Sequence, residues 1–165
     1  MKLGAIYDYL DALSPFATQA AWDNSGLLIG SKDDEIEQIY LSLDVDSKLL
    51  EEVLPNSLVI THHPLIFSGL KQLNFAKYPS NLIQIMVQKK TSLIAMHTNF
   101  DLSHLNAYVA SKLGFEIQES REFVAYCEVN KSFDDLIVQV KEVFGIEHIR
   151  VVKAKEWINR CAITT

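Results

Sequence analysis

The chain of 165 residues lacks the features of disulfide-rich, nucleic-acid-binding and membrane-spanning proteins. Its only two cysteines, Cys127 and Cys161, lie far apart and match no disulfide or metal signature, so we expect buried, reduced thiols. No run of Lys or Arg occurs and the net charge is −6, which argues against a nucleic-acid partner. No apolar run approaches the roughly 20 residues of a membrane-spanning helix, and the N-terminus does not resemble a signal peptide. We therefore expect a cytoplasmic protein without a membrane partner.

What the chain does contain is the composition of an ordinary globular domain. Hydrophobic residues make up 48% of the sequence and charged residues 22%. This proportion supplies enough apolar side chains for a core. The length suits one domain, or one domain and part of another.

The first 121 residues alternate between strand and helix patterns. Helical spacing predicts a first helix in "LGAIYDYLDALSP". Four strand-like segments follow: "GLLIGS", "IYLSLDVD" (with Ile39, Leu41, Leu43 and Val45 on one face), "SLVITHH" and "TSLIAMHTNFD". Helices are predicted after the last three of them, with Asp46 or Ser47 capping the first, Ser80 capping the second and Gly114 ending the third. The alternation predicts an α/β fold in which helices flank a mostly parallel sheet.

Residues 122–165 follow a different pattern. We predict a strand in "EFVAYCEVN", a helix between a Ser132 cap and Gly145, and two strands in "HIRVVKA" and "INRCAITT". This order indicates the start of a second, smaller α/β lobe, after a metal-binding lobe formed by residues 1–121. Because the sequence stops inside an apolar, strand-like run, we expect the second lobe to be incomplete and the chain to be a fragment of a longer protein.

Potential metal ligands follow the predicted strands. His62 and His63 end one strand, and His97 and Asp101 follow another. In an open α/β sheet, ligand sites collect at the carboxyl ends of the strands, so these side chains should converge. Imidazole and carboxylate groups suit Zn²⁺, Fe²⁺ or Mn²⁺, and four such groups suffice for two metal ions bridged by a carboxylate.

Some of these residues have structural alternatives. Asp101 is either a ligand or the N-cap of the following helix, or both. Asp46 is better explained as a helix cap. For Asp44, a role in orienting a metal-bound histidine and the absence of such a role are equally well supported. Pro64 ends the strand after His63, which allows both histidines to reach one site. The remaining histidines, His104 and His148, receive no role.

The segment "AWDNSGLLIG" also has two interpretations. In the first, "DNSG" is a turn into a strand and Trp22 lies in the core. In the second, Asn24 and Ser25 are polar groups that face a substrate at the mouth of the site.

Four motifs, "WDNSGLLIG", "LSLDV", "ITHHPLIF" and "MHTNFD", in this order and spacing, resemble the NGG-interacting-factor-three-like family. Its members are also labelled GTP cyclohydrolase 1 type 2 homologues. The resemblance implies two α/β lobes with a dinuclear metal site, in toroidal homo-oligomers that are often hexamers. It implies that His62 and His63 are ligands, His97 a ligand or close neighbour, and Asp101 a bridging carboxylate. The family's remaining ligands come from a His-x-x-x-Glu motif that this sequence does not contain.

Two functions are consistent with these motifs, and a third hypothesis is that no metal binds and the histidines are hydrogen-bonded loop residues. The first is a dinuclear-metal hydrolase for a nucleotide-like substrate, in which a metal-bound water opens a purine ring and His97 or Asp101 manages the proton. The substrate GTP comes from the family label alone, because the sequence has no Gly-x-x-x-x-Gly-Lys-Ser/Thr phosphate loop. The second is a non-catalytic, metal-binding or regulatory oligomer that interacts with other proteins.

Overall fold

The computed structural model describes residues 1–165 as two compact units, Met1–Phe100 and Asp101–Thr165. The predicted division of the chain after residue 121 stays a prediction. The helices are all too short or too polar to cross a membrane.

The first unit contains a four-stranded sheet, and helices alternate with its strands along the sequence. Its elements are α1 (Leu3–Leu13), a 3₁₀ turn (Phe16–Thr18), β1 (Gly26–Ile29), β2 (Gln38–Ser42), α2 (Ser47–Glu52), β3 (Ser57–Thr61), α3 (Ser80–Gln88), β4 (Ser92–Ala95) and α4 (Thr98–Phe100).

The sheet of the first unit is mostly parallel, as predicted. Its strand order is β1-β4-β3-β2, and β3 runs parallel to both β2 and β4. The strand β1 is antiparallel to β4, with Gly26 opposite Ala95. This pairing brings the residues that precede β1 next to the residues that follow β4, and the functional site depends on it.

The two central strands bury both faces of the sheet, because successive strand side chains point in opposite directions. Leu58 and Ile94 are fully buried in one core cluster together with Leu3 and Ile6 of α1. The alternate positions of β3 and β4 belong to a second cluster, which also includes residues of α2 and α3: Val59, Leu93, Leu50, Ile83 and Met86. Two cores therefore hold β3 and β4 from opposite sides.

The edge strand β2 has an apolar face that the chain does not cover. The predicted alternation placed Ile39, Leu41, Leu43 and Val45 on one face. Ile39 and Leu41 of β2 and the adjacent Leu43 are 49%, 78% and 60% exposed, whereas Val45, beyond the end of the strand, is buried in a core cluster. An exposed apolar face on an edge strand is unusual, because natural proteins tend to protect such edges.

The second unit is an antiparallel sheet with one long helix. It contains a π-helical turn (Asp101–Leu105), α5 (Asn106–Lys112), β5 (Ile117–Arg121), β6 (Val124–Ser132), α6 (Phe133–Phe144) and β7 (Trp157–Ile163). The strand order is β5-β6-β7, with both pairs antiparallel. Helix α6 begins at the predicted Ser132 cap, whose Oγ accepts from the N–H of Asp135, and ends at Gly145 with φ of 63°.

Several local predictions were wrong. The segment 148–154 forms no strand. The strand β5, which forms a hairpin with β6 through a turn where Glu122 has a positive φ, was not predicted. Ser80 is the first residue of α3 rather than its N-cap, a position that Pro79 occupies. Asp101 is not an N-cap either, because helical structure begins three residues earlier, at Thr98.

Candidate metal centre

The adjacent histidines His62 and His63 stand at the carboxyl end of β3. Their backbone N–H groups continue the ladder to the neighbouring strand, donating to the carbonyl oxygens of Ser42 and Leu43 at 3.3 and 3.0 Å. Pro64 follows and has no N–H to extend the pairing. The two imidazole rings lie with centroids 4.9 Å apart, so both side chains reach the same region although the residues are consecutive.

The third histidine, His97, joins them from the end of the next strand. Its ring centroid is 5.1 Å from that of His62 and 5.7 Å from that of His63. One ring nitrogen from each histidine lies within 4.8 Å of the other two. The convergence expected at the carboxyl ends of two parallel strands is therefore present for all three imidazoles.

Each imidazole is oriented through its Nδ1 atom by an oxygen acceptor. Nδ1 of His62 lies 2.9 Å from the carbonyl oxygen of Met96, and Nδ1 of His63 lies 2.9 Å from a carboxylate oxygen of Asp44. Nδ1 of His97 lies 2.8 Å from a carboxylate oxygen of Asp23. Because these acceptors require a proton on Nδ1, a neutral ring in each position carries its lone pair on Nε2. Metal-ligating histidines are usually oriented in this way.

Asp23 is a buried carboxylate with several hydrogen-bond donors around it. Its side chain is fully buried and accepts hydrogen bonds from His97, the Thr98 hydroxyl at 2.5 Å and the Thr98 N–H at 3.1 Å. Burial alone would raise its pKa, but the bonds from Thr98, His97, the Asn24 N–H and Ser25 outweigh it and lower the pKa to about 2. The group beside His97 is therefore a permanent anion near neutral pH.

Sequence reasoning missed Asp23 because it stands 74 residues before His97 and looked like part of a turn. The antiparallel pairing of β1 with β4 is what brings the two together. The same carboxylate accepts from the N–H of Thr98, which has no acceptor within α4 because it stands at the helix start. This bond explains why helical structure begins at Thr98 rather than near Asp101.

The predicted substrate-facing residues Asn24 and Ser25 make hydrogen bonds within the protein. The Asn24 side-chain amide donates to the carbonyl oxygen of Ile66 at 2.5 Å. The Ser25 hydroxyl donates to Asp23 at 2.9 Å and accepts from the His97 N–H at 3.3 Å. Both residues thus support the loop around the histidines, and a role in facing a substrate stays a prediction.

The carboxylates singled out from the sequence occupy three different positions. Asp44 lies on the exposed side of the cluster beside His63, with 62% of its side chain exposed. Asp46 caps α2, as predicted, by accepting from the Leu49 N–H at 2.7 Å. Asp101 is buried at the first residue of the π-helical turn, and it does not belong to the three-histidine cluster. Its role as a metal ligand stays a prediction.

An exposed aromatic pair stands beside the cluster. Trp22 does not lie in the core, as one interpretation of "DNSG" required, but is 63% exposed. Its ring centroid is 6.2 Å from that of His97, edge to face at 76°, and 6.0 Å from that of Phe67. Phe67 is the last residue of the "ITHHPLIF" motif, but no role was predicted for it from the sequence.

The arrangement suits a divalent metal ion that prefers nitrogen ligands. Three imidazoles converge, each with its proton directed away to an oxygen acceptor. The three imidazoles match Zn²⁺ or Fe²⁺ better than Mn²⁺, Ca²⁺ or Mg²⁺, which favour oxygen ligands. The histidine cluster can thus bind a metal ion, and its residues fit that group.

Comparison with known proteins gives a consistent picture along the whole chain. A family model described as Duf34/NIF3 (NGG1p interacting factor 3) matches residues 1–165. A Campylobacter jejuni protein named GTP cyclohydrolase 1 type 2 homolog is 50% identical over 167 residues, covering 100% of this chain and 69% of its own length. A Helicobacter pylori protein named GTP cyclohydrolase 1 type 2 is 41% identical over 155 residues, covering 93% of this chain and 64% of its own length.

A solved structure has the same architecture. The crystal structure of a Staphylococcus aureus hypothetical protein superposes with a TM-score of 0.85 at 26% identity, covering 99% of this chain and 71% of that one. The chain thus spans between 64% and 71% of the length of these three relatives.

Proposed function

Since the chain belongs to the Duf34/NIF3 (NGG1p interacting factor 3) family, we propose that it binds divalent metal and hydrolyses a nucleotide-like substrate. One observation carries the proposal. Three histidines at the ends of two buried parallel strands converge, and each has its Nδ1 proton held by an oxygen acceptor. The names of two relatives supply the reaction class, a GTP cyclohydrolase.

In this proposal His62, His63 and His97 hold the metal through Nε2. When bound, a divalent ion supplies a Lewis acid and a water molecule of lowered pKa. Asp23 keeps His97 in the tautomer that presents Nε2. Asp44 does the same for His63 from a more exposed position, where solvent weakens its effect.

We extend the ligand set to Asp101 and propose a second metal ion. The support is that Asp101 is a buried carboxylate four residues after His97 in the "HTNFD" segment, on which the family resemblance rests. A carboxylate that bridges two ions is common in dinuclear hydrolases. The stoichiometry, one ion or two, is directly measurable.

The substrate is proposed to be a purine nucleotide, and the reaction a hydrolytic opening of its ring. The chain has no Gly-x-x-x-x-Gly-Lys-Ser/Thr loop and a net charge of −6, so binding of a triphosphate would need local Lys or Arg side chains or the metal ions themselves. We expect recognition of the ring to contribute more than recognition of the phosphates.

Metal analysis of the purified protein tests the site. His63→Ala should lose most of the bound metal, and Asp101→Asn should lose about half if two ions are present. His148→Ala is the matched control, because that side chain is 96% exposed and lies outside the cluster. Equal metal content in all four proteins would show that the site is assigned to the wrong residues.

Turnover tests the reaction. The metal-loaded protein is incubated with GTP, ATP and the corresponding monophosphates, and ring opening is followed by the loss of purine absorbance. We expect turnover of a guanine nucleotide that His97→Ala abolishes. No turnover with any nucleotide, across Zn²⁺, Fe²⁺ and Mn²⁺, would rule out the cyclohydrolase and leave metal binding intact.

A second candidate is a metal-binding, regulatory protein that acts through an oligomer. The exposed apolar side chains of β2, Ile39 and Leu41, together with the adjacent Leu43, favour it because they suit an interface. We propose a homo-oligomer, a hexamer by family resemblance, and light scattering after size-exclusion chromatography measures it. Leu41→Lys should reduce the mass of the particle. A monomer before the substitution would exclude this proposal.

A further inference from the structure

Trp22 and Phe67 are large aromatic side chains that the fold holds out to solvent beside the histidine cluster. They are 63% and 52% exposed, with ring centroids 6.0 Å apart and an interplanar angle of 45°. Trp22 also meets His97 edge to face at 6.2 Å. None of the roles proposed above for the metal centre uses either ring.

Both rings are attached to backbone that is firmly anchored. Asp23, the residue after Trp22, is fixed by its buried hydrogen bonds to His97 and Thr98. Asn24 then ties this loop to the other one, because its amide donates to the carbonyl oxygen of Ile66, the residue before Phe67. Exposed aromatic rings on such backbone lose little conformational freedom when a ligand binds.

We propose that Trp22 and Phe67 form a stacking platform for a planar heteroaromatic ring, which they hold beside the histidine cluster. This inference rests on the proposed function and deepens it, because it assigns recognition of the purine to two named residues. A stacked ring needs no charged partner, which suits a site without a phosphate-binding loop.

The surroundings leave space for such a ligand. A cleft of about 200 Å³ lies beside Phe67 and is lined in part by Pro64, Ile66 and Tyr78. Trp22 and the histidines do not line this cleft, and the platform's nearness to the cluster rests on Trp22, whose ring centroid is 6.2 Å from that of His97.

The fluorescence of Trp22 tests the proposal without any turnover. The only other tryptophan is Trp157, so Trp157→Phe leaves Trp22 as the single reporter. The probe is GMP added to protein freed of metal with EDTA, and ribose 5-phosphate is the control that lacks the ring. We expect saturable quenching by GMP and none by ribose 5-phosphate. Trp22→Phe, which retains only Trp157, provides the correction for absorption by GMP and should show no specific quenching.

Equilibrium dialysis of GMP against variants gives a second, independent measurement. Trp22→Ala and Phe67→Ala should each weaken GMP binding about 5- to 150-fold, the range found for single base-stacking contacts. Trp22→Phe should lose less, because a ring remains. Tyr9→Ala is the matched control, since Tyr9 is a comparably exposed aromatic residue on α1 and should leave GMP binding unchanged.

The outcomes separate this inference from the hydrolase. Absence of quenching, or equal quenching by ribose 5-phosphate, overturns the stacking platform even if the protein opens purine rings. Ring-specific binding that Trp22→Ala and Phe67→Ala weaken supports the platform even if no nucleotide is turned over. Unchanged binding in both alanine variants overturns it, and circular dichroism confirms that these surface substitutions leave the fold intact.

Discussion

The two units of the chain differ in how completely they bury their sheets. In Met1–Phe100, every residue of β4 and all but one residue of β3 are buried, and core clusters cover both faces. In Asp101–Thr165, helix α6 has no buried residue and β7 is at most half-buried.

The more completely buried sheet is the one that carries the candidate metal centre. Rigid, buried strands deliver His62, His63 and His97 to one point, and a buried carboxylate orients one of them. The second unit has a pair of opposed cysteines, Cys127 and Cys161, whose thiols are raised in pKa and therefore less reactive. The following predictions test this contrast in burial between the two units.

The largest effect should come from the central strand of the first unit. Leu58→Ala removes a fully buried side chain and should lower the free energy of unfolding by about 2–5 kcal/mol. Val138→Ala, on the exposed part of α6, should change it by less than about 0.5 kcal/mol. Urea unfolding followed by circular dichroism measures both. Similar values for the two would contradict the contrast in burial.

Two glycines with positive φ give the next comparison. At Gly30, with φ of 109°, an added Cβ would lie 2.8 Å from Ser92 Cβ and 2.9 Å from Asp34 Oδ2. Gly30→Ala should therefore destabilise by about 2–4 kcal/mol through strain and overpacking. Gly145→Ala meets open space at φ of 63° and should cost only about 1 kcal/mol. Thermal unfolding of the two variants ranks them, and the reverse order would refute the argument.

The cysteine pair should show low reactivity at ordinary pH. Burial, together with the neighbouring Cys127, raises the pKa of Cys161 to about 11. Since the thiolate is the reactive form, alkylation at pH 8 should be about a hundredfold slower than for a free cysteine, and it should accelerate as the pH rises towards 11. Iodoacetamide labelling followed by mass spectrometry measures the rate. Rapid labelling at pH 8 would mean that the strand pair is open.

The smallest effect concerns the two carboxylates beside the histidines. Asp23→Asn should weaken metal affinity about 10- to 100-fold, because it removes a buried charge that orients His97. Asp44→Asn should weaken it less, since Asp44 is largely exposed and its charge is screened. Competition with a chromophoric chelator measures both affinities. A larger loss of affinity for Asp44→Asn than for Asp23→Asn would show that the effect of these carboxylates on metal binding does not increase with their burial.

Features that depend on residues close together along the chain could be predicted from the sequence. Its alternation and capping residues predicted α1, the mostly parallel sheet and α6 with Ser132 and Gly145 at its ends. It also predicted that His62, His63 and His97 converge if their strands are parallel and adjacent, and the pairing of β3 with β4 met that condition.

The residues that surround those histidines are set by contacts between distant parts of the chain, which the sequence pattern does not reveal. The antiparallel pairing of β1 with β4 sets Asp23 against His97 and Trp22 beside it, at a separation of more than 70 residues in the chain. Periodicity says which face of a strand is apolar, but not which strand is its neighbour or in which direction that neighbour runs. The uncovered apolar face of β2 has the same origin, since its alternation predicted a face and only the packing showed that nothing in the chain covers it.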